Sequence, residues 1–591
     1  MKDFFKFMFA SMLGFFLISI IMFFIFLGMI TSFASMMEQE KIEVAENTLL
    51  VMKLNTAITD RTPADPFSGF NFQSMEVNKP LGLNDILNNL DKAARDENIK
   101  GIYLNLSGVS AGSATLLEIR DALVKFKESG KFIISYSENY TQGSYFLATT
   151  ADKIYMNPEG GMDFHGLSAE MMFFKGTLEK LDADMQIIRH GKFKSAVEPF
   201  MLDKMSNENR EQMMAIIDAL WGEILQTISD TRNISIDELN RIADGLLINS
   251  PEAAIEFGLV DELMYKDQIL AELKSMLDVE EKDDIESVSL AKYTNAPEPN
   301  KERPDRKNKI AVVYALGEIV SGEGSDEIIG SEKLSMAIRK ARKDDKVKAI
   351  VMRVNSPGGS ALASDVILRE VKLAAEAKPF IISMGDVAAS GGYYIACAAD
   401  MIFASPTTIT GSIGVLGMIP NLEETMKNKL GITFDYAMSN ENSNFMSTFR
   451  PLTGYQKDVI LGYIEDVYDT FVDHVSEGRD MTWDAVDEVG QGRVWAGVDA
   501  MDIGLIDEFG GLSDAIDAAA EMAGIDSYVI KDYPEQKDPI EELFKEIMGG
   551  ASIETHLKAE LGENYRIYQQ LKYWQNAKGV QARLPYDIYI N

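Results

Sequence analysis

Residues 131–155 read KFIISYSENYTQGSYFLATTADKIY, and residues 379–403 read PFIISMGDVAASGGYYIACAADMIF. A constant offset of 248 aligns Phe132 with Phe380, Ser135 with Ser383, Gly143 with Gly391, Tyr145 with Tyr393 and Asp152 with Asp400. It also aligns IKGIYLNL from Ile99 with VKAIVMRV from Val347. The period is far longer than a solenoid unit, so one domain is written twice. In each copy an apolar run comes first (LLVMKL at 49–54, IAVVYAL at 310–316), then a helical stretch (Asn84–Arg95, Glu332–Arg342). A buried strand, a glycine-containing turn, a second helix and the short strand FIIS follow. Continuous apolar strands alternating with helices predict βα units around a mostly parallel sheet.

Working outward, the first copy spans 45–278 and the second 309–545. Between them, 279–308 is charged, holds three prolines and reads as a linker. The tail, 546–591, is helical in pattern to about Lys578 and ends LPYDIYIN. Of the 591 residues 46% are apolar, with 30 Phe and 32 Met, which rules out disorder of the whole chain. The net charge of −35 argues against a nucleic-acid partner, which needs a basic footprint. The single cysteine, Cys397, excludes an intramolecular disulfide framework and Cys-rich zinc sites. A Ser-His-Asp enzyme would have to draw its base from four histidines, His165, His190, His474 and His556.

Residues 1–37 form a separate unit. Phe7 to Met37 carries no charge, and its strongly apolar part, Phe7 to Ile30, is 24 residues long. As a helix that part spans roughly 36 Å, enough to cross a bilayer. Lys2 and Lys6 precede it and Glu38 and Glu40 follow, which places the N-terminus in the cytoplasm and the body outside it. The alternatives are a signal peptide cleaved near Ser32 and Ala34 and a buried core helix. The run exceeds the ~7–15 residues of a signal h-region, which favours a retained anchor.

Chemistry concentrates in the second copy. Its strand IVMRV runs into Asn355-Ser356-Pro357-Gly358-Gly359-Ser360. Adjacent glycines let the backbone turn sharply and can leave amides facing a cavity, where they would stabilise an oxyanion. A tight strand-to-helix turn is the plainer reading. Thirty residues on, Ser390 stands in Ala389-Ser390-Gly391-Gly392-Tyr393, between the strand FIISM and a helix. A serine there sits at the positive end of the helix dipole with small neighbours, and the Gly391 amide points the same way. It resembles a nucleophile elbow in logic, although the motif is not G-x-S-x-G; an N-cap serine would look the same.

NSPGG followed by ASGGYYIA and AAD resembles the ClpP/crotonase superfamily, and within it the S49 signal-peptide peptidases in their long, duplicated, membrane-anchored form. The resemblance covers almost the whole chain. It implies an α/β fold of tandem ClpP/crotonase-like domains behind one N-terminal transmembrane helix. It also implies a Ser–Lys dyad. HGKFKSAVEPF at 190–200 matches the family's lysine motif, which puts the base at Lys194. An ordinary lysine titrates near ~10.4, so the base must be buried to be neutral. Ser412 or Ser195 could orient its amine. The oxyanion would face amides of Gly358, Gly359 and Gly391. Substrates would be released signal peptides and other unfolded segments, with no cofactor or metal. The assembly would be a homotetramer, and the site would be the bacterial inner membrane with catalysis on the extracytoplasmic side.

The repeat adds an inference of its own. Opposite Ser390 stands Gln142, and the first copy's turn, LSGVSAG at 106–112, has lost Pro-Gly-Gly. Near the place of the lysine motif the second copy reads MSNENSNF at 438–445, without lysine. Each half keeps what the other lost, so one site is built from both. A linker of about 30 residues favours building it within one chain. Other signals are weaker. Ser289-Leu290-Ala291-Lys292 fits S-x-x-K but lies in the charged linker, and AEMMFF at 169–174 reads first as core. Two rival functions remain open here, a crotonase-like acyl-CoA enzyme and an inactive envelope scaffold.

Overall fold

The computed structural model describes residues 2–37, 42–63, 70–71, 76–77, 80–299, 307–536 and 581–583. In the first copy, parallel strands line up with the most apolar ones at the centre and short polar ones at the edges. The order is Glu262–Leu263, Lys153–Met162, Phe132–Tyr140, Ile99–Asn105, Thr48–Met52 and Ser287–Ser289. The second copy repeats the centre of this sheet with Phe380–Ala389, Val347–Ser356 and Lys309–Leu316, and ends on Val529–Tyr533. Helices Leu83–Arg95 and Ser113–Lys127 pack on the first sheet, and Ser331–Lys343 and Ala361–Ala375 on the second. The expected helices thus form within a residue of their expected ends. Leu334, Ile338 and Ala341 on one helix face meet Val371 and Ala374 on the next, the i, i+3, i+4 stripe of a helix covering a core.

A third sheet joins the copies. Its order is Ile328–Gly330, Glu318–Val320, the glycine strand Gly358–Ser360, Gln581–Arg583 of the tail, the bridging strand Leu416–Asn421, and the lysine strand Asp184–Arg189. Bridging and lysine strands pair antiparallel from Leu416↔Arg189 to Asn421↔Asp184. This pairing carries the first copy's lysine segment into the second copy.

Three sequence expectations change. The segment 279–308 is not all linker: Ser287–Ser289 extends the first sheet, and Val288, Leu290, Tyr293 and Ala296 are buried in its core. Set among charges, this strand is too short to show a period. Ser289 caps the helix Leu290–Tyr293 by accepting from the Lys292 N–H at 3.3 Å, which gives the S-x-x-K match a structural role. In AEMMFF, Met172 and Phe174 are exposed rather than core. At the N-terminus a helix runs Lys2–Met37. Among the described residues, no helix is long and apolar enough to cross a membrane. The helical pattern of the tail lies outside the described residues.

Candidate active site

The serine strand Phe380–Ala389 ends in a corner that only a forced backbone can make. Ser390 has φ 56° and ψ −116°, a region that costs a non-glycine residue about 1–3 kcal/mol. The corner is held because the Ser390 N–H donates to Gly411 O at 2.8 Å and the next amides start the helix Gly391–Tyr394. Gly392 must be glycine: a Cβ there would lie 2.6 Å from Ser356 O.

Lys194 arrives from the first copy. After the lysine strand the chain turns at Gly191, φ 86°, and Phe193 N–H donates to Gln491 O at 3.1 Å. Arg189 then ties back, its Nη1 donating to Lys194 O at 3.0 Å. The lysine stem packs against the backbone of Gly492, where a Cβ would come within 2.7 Å of the Lys194 Cβ. Lys194, Ser390 and Ser412 are all fully buried.

The amine meets three oxygens: Ser390 Oγ at 2.8 Å, Ser412 Oγ at 3.0 Å and Ser412 O at 3.1 Å. Burial with no facing carboxylate pushes Lys194 well below the usual lysine value. A neutral amine has two N–H donors and one lone pair. The Ser412 carbonyl can only accept, so it takes one N–H. Ser412 Oγ takes the other, its own proton pointing to Gly492 O at 3.5 Å. The lone pair is left for the Ser390 hydroxyl proton. This arrangement can deprotonate a serine without histidine or carboxylate.

The two expected orienting serines separate. Ser412 touches the amine, whereas Ser195 Oγ accepts from Gln212 Nε2 at 2.7 Å. Gln212 also receives the Val494 N–H at 3.3 Å, so it staples the lysine segment to the second copy. Lys192, two residues away, is exposed and stands 5.2 Å from the Phe193 ring centroid. The glycines also differ: the Gly358 N–H donates to Ser356 Oγ at 3.1 Å, while Gly391 opens a helix, where first-turn amides have no helical partner. His165 is exposed, His190 stacks on Tyr468, His474 lies beside Lys372 and Asp365, and His556 is outside the described residues. Among the described residues no cluster of His, Cys, Asp or Glu is arranged for a metal ion.

Sequence reasoning passed over Gln212 and Gly492. The run Gly490-Gln491-Gly492 was a usable signal, since Gln491 and Gly492 both take positive φ, 51° and 83°. Arg353, a charge inside an apolar strand, was another.

The model of peptidase family S49 matches the chain twice, over residues 125–280 and 372–526. The chain is 37% identical to Protease 4 of Haemophilus influenzae over 455 residues, covering 76% of this chain and 74% of that protein. It is 36% identical to Protease 4 of Salmonella typhi over 477 residues, 79% and 76% of the two chains. The chloroplastic serine protease SPPA of Arabidopsis thaliana is 34% identical over 488 residues, 82% and 70% of the two. These matches retire the acyl-CoA and scaffold readings. With the family's domain present in both copies, the chain belongs to peptidase family S49 and is a serine protease of the long, tandem-duplicated kind.

Proposed function

We propose that the protein is a membrane-anchored endopeptidase whose Ser390 and Lys194 form a catalytic dyad within one chain. The observation that carries this is the 2.8 Å contact between a buried lysine amine and the hydroxyl of a strained serine corner. Ser390 Oγ attacks the peptide carbonyl carbon while Lys194 takes its proton, then gives it to the leaving nitrogen. Water, deprotonated by the same amine, hydrolyses the acyl-enzyme. The oxyanion faces the amides of Gly359 and Gly391, since Gly358 already serves Ser356.

The substrate lies extended. Between glycine and bridging strands the tail segment Gln581–Arg583 runs antiparallel to both, with Gly358↔Arg583 and Leu416↔Gln581 in register. A peptide adding there as a strand is held by its backbone, which suits unfolded chains and released signal peptides of varied sequence. The N-terminal helix is the anchor. Phe7, Phe9, Phe15, Phe16, Leu17 and Ile18 are exposed around its circumference, and the flanking charges put the body on the extracytoplasmic side of a bacterial inner membrane.

The chain assembles with copies of itself. On the helix Ala361–Ala375, Leu362 is 70% and Val366 44% exposed, while their first-copy equivalents Ala114 and Glu118 are buried. The uncovered face fits the first copy of a neighbouring chain, a head-to-tail contact that closes into a ring such as a tetramer.

Fluorophosphonate labelling and digestion of a peptide library test the reading. Wild type is labelled at Ser390 and cuts; Ser390→Ala does neither. A fully active Ser390→Ala protein would refute the dyad. Extraction of the full chain by alkaline carbonate would refute the anchor.

A further inference from the structure

The hydrolytic site leaves Asn355, first residue of the NSPGG turn, without a task, yet its side chain is tied at both ends. Nδ2 donates to Asp60 Oδ2 at 2.7 Å, and Oδ1 accepts from the Val387 N–H at 3.2 Å. Val387 lies on the serine strand, three residues before Ser390, and Asn355 adjoins Ser356, which holds the Gly358 amide. Asp60 comes from the first copy. Its Oδ1 accepts from Arg353 Nε at 2.6 Å, and Nη2 of that fully buried guanidinium reaches Glu118 of the first copy, also at 2.6 Å. Arg353 Nη1 donates to Ser383 Oγ at 2.8 Å on the serine strand. One more tie crosses the copies: Thr115 donates its N–H and hydroxyl to Asp386 at 2.9 and 2.7 Å. Gly112 makes room for it, since a Cβ there would come within 2.2 Å of the Asp386 carboxyl.

Buried ion sets of this kind are poor sources of stability compared with apolar packing, so geometry is the better reason for one beside two reacting turns. The first copy supplies the control. At the positions of Arg353, Asn355 and Asp386 it has Asn105, Ser107 and Glu138, so the copy without a serine corner also lacks the arginine and the amide.

We infer that Asp60 is a positioning residue: by bridging Arg353 and Asn355 it sets the spacing between the glycine turn and the Ser390 corner, and makes that spacing depend on docking of the first copy. The inference rests on the Ser390–Lys194 reading and gives the first copy a second task beyond supplying the base.

The chemistry of the link provides its test in the full-length protein. In Asp60→Asn the amide oxygen can still accept from Arg353, but its NH2 then faces the NH2 of Asn355. In the swap Asp60→Asn with Asn355→Asp, donor and acceptor are exchanged and the link is restored. Kinetics on a peptide, the rate of fluorophosphonate labelling and the unfolding midpoint are measured for each. Asp60→Asn is expected to lower kcat about 10–100-fold with KM nearly unchanged and labelling slowed in parallel, as for a small misplacement of reacting groups. The swap recovers most of the loss. Wild-type kcat in Asp60→Asn, or a folded swap that recovers nothing, overturns the inference. Should Asp60→Asn not fold, Asn355→Ala, which leaves the Arg353 pairs in place, carries the same test on kcat. Ser390→Ala run alongside separates the two readings: inactive Ser390→Ala with unimpaired Asp60→Asn defeats the positioning role alone.

Discussion

In the first copy the corner after Phe132–Tyr140 is made by Thr141 at φ −78° and ψ 161°, and its hydroxyl accepts from the Ser144 N–H. In the second, the corner after Phe380–Ala389 is Ser390 at φ 56° and ψ −116°, with no side-chain cap. The residue after Thr141, Gln142, accepts the N–H groups of His165 and Gly166 at 3.0 and 2.9 Å. The equivalent loop of the second copy, Ile413-Gly414, instead packs on the lysine, a Cβ at Gly414 falling 3.3 Å from Lys194 Cδ. One fold therefore turns from strand to helix in a relaxed, side-chain-capped form at Thr141 and, one residue later in the repeat, in a strained, uncapped form at Ser390. Strain persists where the surroundings impose it, and here they aim a hydroxyl at an amine.

The largest expected effect breaks the open corner. Lys194→Ala should lower kcat by about 10³-fold or more, with the double change at Lys194 and Ser390 hardly worse, because the two act as a unit. Exposed Lys192→Ala should stay near wild type; measuring kcat on one peptide for all four proteins checks this. Since burial depresses the Lys194 pKa, its amine is protonated, and useless as a base, only when pH falls through that lowered value. Activity should accordingly rise with pH well below the ordinary lysine range. A kcat/KM profile rising only near the ordinary value would show an unshifted lysine.

Next in size is Gly492→Ala. The new Cβ presses on the lysine stem, and displacement of the amine should cost about 10–100-fold in kcat with KM little changed. Smaller again is Ser412→Ala, which removes one acceptor of the amine and should cost about tenfold; Ser195→Ala, one bond further out, should cost less. The same kinetic comparison ranks them.

The smallest effect sharpens the contrast between corners. Ser390→Gly should be as inactive as Ser390→Ala but more stable, by about 1–3 kcal/mol, because glycine accepts the positive φ. Thr141→Gly should instead lower stability by a few tenths of a kcal/mol relative to wild type, because it removes the capping hydroxyl. Denaturant unfolding of the four proteins decides it; equal stability of the two Ser390 variants would show that the corner stores no strain.

Much of this was legible because it is local. The 248-residue offset, the apolar strands and the helix stripes are periodic, and periodicity survives in sequence. So did the gap in each copy, Gln142 in place of a serine and MSNENSNF at 438–445 without a lysine, which pointed to one site from two halves. The small edge strand Ser287–Ser289 was missed because three residues among charges have no period to read. Choosing between Ser195 and Ser412 was beyond the sequence too: Ser195 adjoins Lys194 in the chain, yet Gln212 takes its hydroxyl, while Ser412 arrives from a strand end 218 residues away.

The sequence by itself determined the duplication, the α/β class, and which residue types each half could bring to a site. Tertiary structure alone decided that Lys194 and Ser390 meet at 2.8 Å, that Gly358 is already engaged, and that Asp60 pairs with both Arg353 and Asn355. The physical reason is range. Helix and strand patterns follow from neighbours within a few residues, whereas pKa, hydrogen-bond partners and strain depend on atoms that only folding brings together, here through the pairing of Asp184–Arg189 with Leu416–Asn421.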